Sequence, residues 1–334
     1  GSYTGTDTSH TVTMNNPITE DASWKTQYYL TTAENPDAGG DITPAPPGAW
    51  YDSGTDASVD ATVNAGYQWA GWSGDLSGTT KPTTITMDAP KSVTANFGKE
   101  VQITVNTNPT GRTFTVDGTS YTTAQTFTWV ENGHHTISVS SPQSGGTGTR
   151  YVYTSWSDGG DQSHTYTVPG SDATVTANFT TQYYLTVNSD HGSPTGEDWY
   201  DAGTTATFGV TTPESGGAGT QYVFTGWAGT GSGSYTGTDA SHTVTMNNPI
   251  TEDASWKTQY QLTVNSAHGS PTGAGWYDEG TTATFGVTTP ESGGAGTQYV
   301  FTGWAGTGSG SYTGTDTSHT VTMNNPITED ASWK

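Results

Sequence analysis

The sequence predicts an all-β protein, a tandem array of small antiparallel β modules, each a sandwich or open barrel, strung into an elongated rod. Three observations lead there. Thr, Gly, Ser, Val, Tyr and Trp dominate the composition, and branched and aromatic side chains fit a half-buried strand better than a helix. Apolar residues alternate with a period of two, as on a strand with one face buried. The chain also copies itself, and self-similarity at a fixed period is the mark of a repeat architecture.

Residues 181–257 and 258–334 match with a period of 77. They differ at six positions, Tyr184/Gln261, Asp190/Ala267, Glu197/Ala274, Asp198/Gly275, Ala202/Glu279 and Ala240/Thr317. Four of those pairs exchange an acid for a small uncharged residue, so acid there is dispensable. Residues 1–25, GSYTGTDTSHTVTMNNPITEDASWK, recur unchanged at 310–334, an offset of 309. Both carry Thr (Thr8, Thr317) where the third module has Ala240, which points to a super-repeat of four modules. The domain reading is therefore residues 1–25 as the closing part of a preceding module, then modules at 26–98, 99–180, 181–257 and 258–334. Alone, residues 1–25 lack a partner to bury Val12, Met14 and Trp24. The expectation is that the missing half lies upstream in a longer parent protein, or that a neighbouring chain supplies complementary strands.

Within the third module, Tyr183, Leu185 and Val187 alternate with polar neighbours, and Ala206, Phe208 and Val210 do the same. A Gly-rich turn at 215–219 precedes a strand from Gln221 to Trp227, and a closing pair carries Val244 and Met246, then Ala254 and Trp256. The same inward set recurs as Ile85, Met87, Val93, Ala95 and Phe97 in the first module, and as Tyr166, Val168, Val175, Ala177 and Phe179 in the second. Five or six short strands per module follow. No linker separates modules: TANF at 94–97 runs almost directly into VQITV from Val101, which implies a stiff rod. Modules this small bury little surface alone, and with no cysteine to staple them, neighbours are expected to share apolar contact.

The stretch GYQWAGWSGDLSGTTKPTTITMDAPKSVTANF, residues 66–97, resembles the divergent internalin-type B-repeat family of bacterial and archaeal surface proteins. An aromatic GW strand, a TITMD hairpin and a TANF strand carry the likeness. It is clearest over 26–98, and the TANF end becomes DASW in the third and fourth modules. The resemblance implies a non-catalytic cell-surface spacer, stalk or adhesin repeat, with a β-grasp unit as an alternative picture of the module.

With 8 Lys+Arg against 31 Asp+Glu, the formal charge is −23. That charge repels phosphate backbones and anionic lipid, so nucleic acid is a poor partner. It suits instead a secreted array kept soluble by mutual repulsion. No apolar stretch is long enough for a membrane helix, so this segment inserts in no membrane, and any secretion signal is expected outside it.

The candidate sites are few. His10, His164, His242 and His319 share one repeated slot, and His191 and His268 share a turn slot. Adjacent His134 and His135 would point to opposite faces of a strand, so structural roles are expected for all eight. Glu197, Asp198 and Asp201 could mimic a glycosidase pair or a calcium loop, yet two of the three are absent from the twin module. Asp158 and Asp161 in SDGGDQ are the calcium candidates, against an ordinary Asx turn. Trp72, Trp156, Trp227 and Trp304 at one slot, with Trp256 and Trp333, are read as core or inter-module anchors. Trp199 and Trp276 are the glycan-stacking candidates. Lys25, Lys257 and Lys334 close modules as solvated edge lysines, with an isopeptide bond as the alternative. The expectation is a non-enzymatic structural segment of an extracellular or cell-surface fibre, filament or stalk. Its partners would be copies of itself, and no cofactor is required beyond the open option of calcium. The alternative is an adhesin module that binds glycans or a partner cell.

Overall fold

The computed structural model describes all 334 residues. Strands make up nearly all of the regular structure, and the one other element is a three-residue 3₁₀ turn at Asp37–Gly39. Contacts divide the chain into two compact units, Gly1–Val139 with Ser155–Ala177, and Ser140–Thr154 with Asn178–Lys334.

In the first unit, residues 26–98 form two layers. Strand Gln27–Asn35 pairs antiparallel with Gly48–Asp52 and parallel with the start of Lys91–Asn108, Leu30 lying opposite Lys91. Strand Tyr67–Gly74 pairs antiparallel on the other side of Lys91–Asn108. The second layer is Gly40–Thr43, Asp56–Val63 and Thr83–Thr86. Leu30, Ile42, Val59, Trp72, Met87, Val93 and Phe97 fill the space between them. The alternation that predicted the strands is the alternation that buries these residues. Further along this unit, strand Lys91–Asn108 continues and pairs with Gln125–Val130, burying Val101, Ile103, Val105 and Trp129. A four-stranded sheet, Ser163–Thr167, His134–Val139, Phe114–Val116 and Thr119–Tyr121 in that order, accompanies it.

The second unit repeats the first pattern twice. Leu185 lies parallel to Ile250, and Leu262 parallel to Ile327. Asp198–Asp201 and Gly275–Asp278 flank one side, and Thr220–Thr230 and Phe301–Thr307 the other. The small second layers are Thr205–Gly209 with Ser241–Thr245, and Thr282–Gly286 with Ser318–Thr322. Two separate clusters result, one around Leu185, Phe208, Trp227, Met246 and Ile250, the other around Leu262, Phe285, Trp304, Met323 and Ile327.

The GW motif owes its spacing to a bulge. Phe224 and Trp227 are three residues apart, which on a regular strand would place them on opposite faces. The register shifts between Phe224 and Gly226, and again between Phe301 and Gly303 and between Trp69 and Gly71. An extra residue re-aims the following side chain, so both aromatics of each pair meet in the core, with ring centroids 5.3 Å apart for Phe224 and Trp227.

The placement of first and last strands has one consequence for function. They lie side by side and parallel, so the chain enters and leaves each repeat in the middle of its sheet. Ile250–Asn265 is a single strand of 16 residues that closes one repeat and opens the next. Lys91–Asn108, with 18 residues, does the same in the first unit. The missing linker of the sequence is thus an uninterrupted strand.

Residues 1–25 differ from everything else. They hold no strand, Met14 is 66% exposed and Trp24 is 92% exposed.

Candidate functional site

No cluster of three or more His, Asp and Glu residues has the geometry to hold a metal ion, and the histidines are engaged elsewhere. His242 and His319 stack on Tyr235 and Tyr312 at 3.6 Å. His191 and His268 stack on Tyr222 and Tyr299 and face Glu214 and Glu291 at 3.0 Å. His135 lies on Trp129 with its Nδ1 2.7 Å from Asp117, and this contact holds the Asp117 carboxyl below the usual aspartate range. His134 Nδ1 lies 3.2 Å from the Thr167 hydroxyl.

The feature that recurs with the most regularity is the junction between repeats. A glycine of the hairpin preceding the GW strand offers its carbonyl to the first strand of the next repeat. Glu100 N–H donates to Gly66 O at 2.8 Å, Tyr184 N–H to Gly148 O at 3.0 Å, and Gln261 N–H to Gly219 O at 2.9 Å. Gly148 and Gly219 have φ of +65° and +70°, a region in which a side chain is strained. A Cβ on either would also come within 2.7 Å of the Cβ of Pro249 or Pro326 in the following repeat. Glycine is required there twice over, by conformation and by close approach. The fourth copy of this glycine, Gly296, has φ +77° and nothing within 4 Å of a Cβ position.

Ion pairs complete the junction. Lys257 Nζ lies 2.9 Å from Asp278, and Gln259 Nε2 donates to the same carboxylate at 2.7 Å. Those two contacts, the glutamine first, hold the Asp278 carboxyl below its usual range. Lys25 and Gln27 hold Asp52 in the same way, at 2.7 and 2.6 Å, with the lysine the larger cause of its lowered pKa. Lys257 and Asp278 are both well exposed to solvent, the setting of an ordinary ion pair.

Trp199 and Trp276, the glycan candidates, stand at these junctions. Trp199 shares a cleft with Pro142, Gly148 and Arg150, the guanidinium of Arg150 lying 4.4 Å from its ring centroid. Trp276 occupies the matching cleft against Pro213, Gly219 and Gln221. It is 38% exposed and has no arginine over it. The equivalent Trp50 is 64% exposed.

The six tryptophans read as core or inter-module anchors pack within their own repeats. Trp72, Trp227 and Trp304 are buried in the three clusters, and Trp156 is buried and donates to Gln162 O at 3.3 Å. Trp256 donates to Ser189 Oγ and Trp333 to Ser266 Oγ, each at 2.9 Å, and each packs edge-on against its own repeat's phenylalanine. The Asp158 carboxylate is engaged by its own loop, while Asp161 contributes its backbone carbonyl to the same loop. His164 Nε2 lies 2.9 Å from Asp158 and its Nδ1 2.7 Å from the Asp161 carbonyl, while Gly160 N–H donates to Asp158. Glu197 accepts from the Tyr184 hydroxyl at 2.8 Å, which raises the tyrosine pKa.

Two residues escaped the sequence reading. Glu252 and Glu329 are fully buried, in the inward slot that Val93 and Val175 fill in the first two modules. One oxygen of each accepts the backbone N–H of Tyr235 or Tyr312, at 2.8 and 2.7 Å. The other has no hydrogen-bond partner. Burial pushes both carboxyls above the usual glutamate range. The parity of the closing strand could have revealed them, since Ile250, Glu252 and Ala254 share a face.

Fold and junctions define a class: small, two-layered, all-β repeats joined strand to strand. The model of the divergent InlB B-repeat domain matches residues 30–101, 183–259 and 260–334, and the chain belongs to that family. The family is associated with cell-surface proteins and its repeats are usually non-enzymatic. No curated protein matches the chain. No helix is long and apolar enough to cross a membrane.

Proposed function

We propose that this chain is a structural spacer, a repeat segment of an extracellular or cell-surface fibre, filament or stalk. The observation that carries the reading is the uninterrupted strand Ile250–Asn265, which makes the end of one repeat and the start of the next a single element. A flexible linker lets neighbouring domains reorient, whereas a shared strand, a Gly219 carbonyl clamp and a Lys257–Asp278 pair resist it. Such a segment supplies length and stiffness. The acidic surface limits lateral clumping of parallel copies.

Small-angle scattering of the full chain tests this. The expected particle is elongated, with a maximum dimension on the order of 100 Å, since a compact unit of this size is roughly 30 Å across. A compact particle, or the broad profile of a flexible chain, would refute it.

A second reading is an adhesin. The exposed rings of Trp50 and Trp276 favour it, because a flat aromatic face flanked by polar groups suits a sugar. Saturable binding on a glycan array, lost on Trp276→Ala, would support adhesion, and no binding leaves the spacer role alone.

A further inference from the structure

We infer that Glu252 and Glu329 hold a proton while their repeats are closed, and that losing it opens the turn packed on each carboxyl, so that the third and fourth repeats tighten in acid while the first two do not respond. The inference goes beyond the spacer role, which requires no response to pH.

The first ground is a shortage of donors. Glu252 is fully buried, and the sheet sets it between Val187 on one neighbouring strand and Gly229 on the other. One oxygen accepts the Tyr235 N–H at 2.8 Å, and the other has no partner. Gly229 leaves a bare spot beside that second oxygen. A Cβ there would collide with the Tyr235 carbonyl oxygen and come within 2.7 Å of Glu252 Oε2, so two acceptors border one gap. A buried carboxylate without a partner costs far more than the neutral acid, and the acid supplies the donor that the gap lacks. The same arrangement recurs at Glu329, Tyr312 and Gly306.

The second ground is the cover. Tyr235, which donates to Glu252, is reached through the turn 231–234, whose Gly231 and Gly233 are exposed and have φ of +97° and +89°. Ser234 N–H donates across the turn to Gly231 O at 3.3 Å, and the strand pair behind it spans only Trp227–Gly237 and Ala228–Thr236. A short exposed segment held by few bonds opens locally at low cost.

Contrast between repeats is the third. Val93 fills this slot in the first repeat, between Thr32 and Gly74, and Val175 fills it in the second. Neither can ionise.

The surrounding charges oppose one another. His242, 3.7 Å from Asp239, favours the carboxylate of Glu252, and Asp253, held by Asn188 at 2.7 Å, disfavours it. Glu197 accepts the Val187 N–H at 3.3 Å nearby. Strand Thr205–Gly209 brings no ionisable group, and Thr220–Thr230 brings only Tyr222, stacked on His191. Around Glu329 stand His319, 3.6 Å from Asp316, and Asp330, held by Asn265 at 2.8 Å, with Ala274 in place of Glu197. Burial is the largest influence on both carboxyls and favours the proton.

The test is a pH titration of the full chain with two readouts. Carbon-13 NMR of labelled glutamate carboxyls should show Glu252 and Glu329 titrating above the exposed glutamates. Amide exchange, corrected for intrinsic rates, should show protection at Tyr235 and Tyr312 falling about tenfold per pH unit between the ordinary glutamate range and the raised value, the slope of one linked proton. Trp72 N–H, which donates to Gly78 O in the first repeat, should stay flat. Glu252→Gln with Glu329→Gln keeps an acceptor and a donor but cannot ionise, so protection at both tyrosines should become independent of pH; Glu252→Val with Glu329→Val, the residue of the first repeat, serves as a second non-ionising variant. Glu252 and Glu329 titrating with the exposed glutamates overturns the inference. So does protection that stays flat in the unmodified chain, or that falls equally in the non-ionising variants.

Discussion

Residues 1–25 and 310–334 have the same sequence and opposite structures. In the second setting the segment forms the two closing strands of a repeat, and Met323 is fully buried. In the first it keeps its tyrosine–histidine stack and its Tyr3–Glu20 hydrogen bond, yet forms no strand and leaves Met14 and Trp24 in solvent. The contacts that survive join residues no more than 17 apart, and those that vanish need strands from outside the segment. Local chemistry therefore makes the hairpin's shape, while the partner sheet makes it a strand pair, because an isolated two-stranded hairpin is marginal in water.

The largest expected effect that sharpens this contrast is in the core. Met323→Ala should cost the fourth repeat about 2–5 kcal/mol, read by denaturant unfolding. Met14→Ala, the same change in the same sequence, should shift stability by no more than about 0.5 kcal/mol. Equal effects would break the comparison.

The junction glycines offer the next contrast. Gly219→Ala meets both a positive φ and Pro326, while Gly296→Ala meets only the φ. Both should destabilise, and Gly219→Ala should do so by a further 1 kcal/mol or more, roughly, from overpacking. Thermal unfolding of the two variants in parallel checks it.

The smallest effect concerns the buried carboxyl. Burial raises the Glu329 pKa, so its folded pKa lies above its unfolded one. The favourable contribution of the protonated form is complete below the ordinary glutamate range and is lost as pH rises through the raised value. Glu329→Gln should therefore stabilise the fourth repeat by about 1 kcal/mol at neutral pH, with the gain fading in acid. The matching Glu20→Gln should leave the unfolding midpoint unmoved, because residue 20 is exposed.

Much of the fold was legible in the residues. Alternation at Leu185 and Val187 and at Ala206 and Phe208 marks strands whose inward members are buried as expected. TANF running into VQITV foretold direct abutment of the modules, which takes the form of one continuous strand. Other features were out of reach. Parity on a regular strand cannot place Phe224 and Trp227 on one face, since the bulge that does so depends on register with Trp256 and Ala254 across the sheet. Repeated tryptophan suggested core or inter-module anchors without choosing between them; Trp72, Trp156, Trp227 and Trp304 are buried within their own repeats, and the rings at the junctions are Trp199 and Trp276. Slot recurrence reports that a ring is needed and leaves open which neighbour it meets.

The sequence by itself determined the repeat period, the strand-forming character and the inward-facing residues, because copying, propensity and alternation are local properties of a chain. Tertiary structure alone decided that first and last strands lie parallel at the centre of each sheet, that Glu252 and Glu329 are buried in valine slots, and that one 25-residue sequence is folded in one place and open in another. Those outcomes depend on which distant strand supplies the other half of the hydrogen bonds and the apolar contact, and that partner is absent from the segment itself.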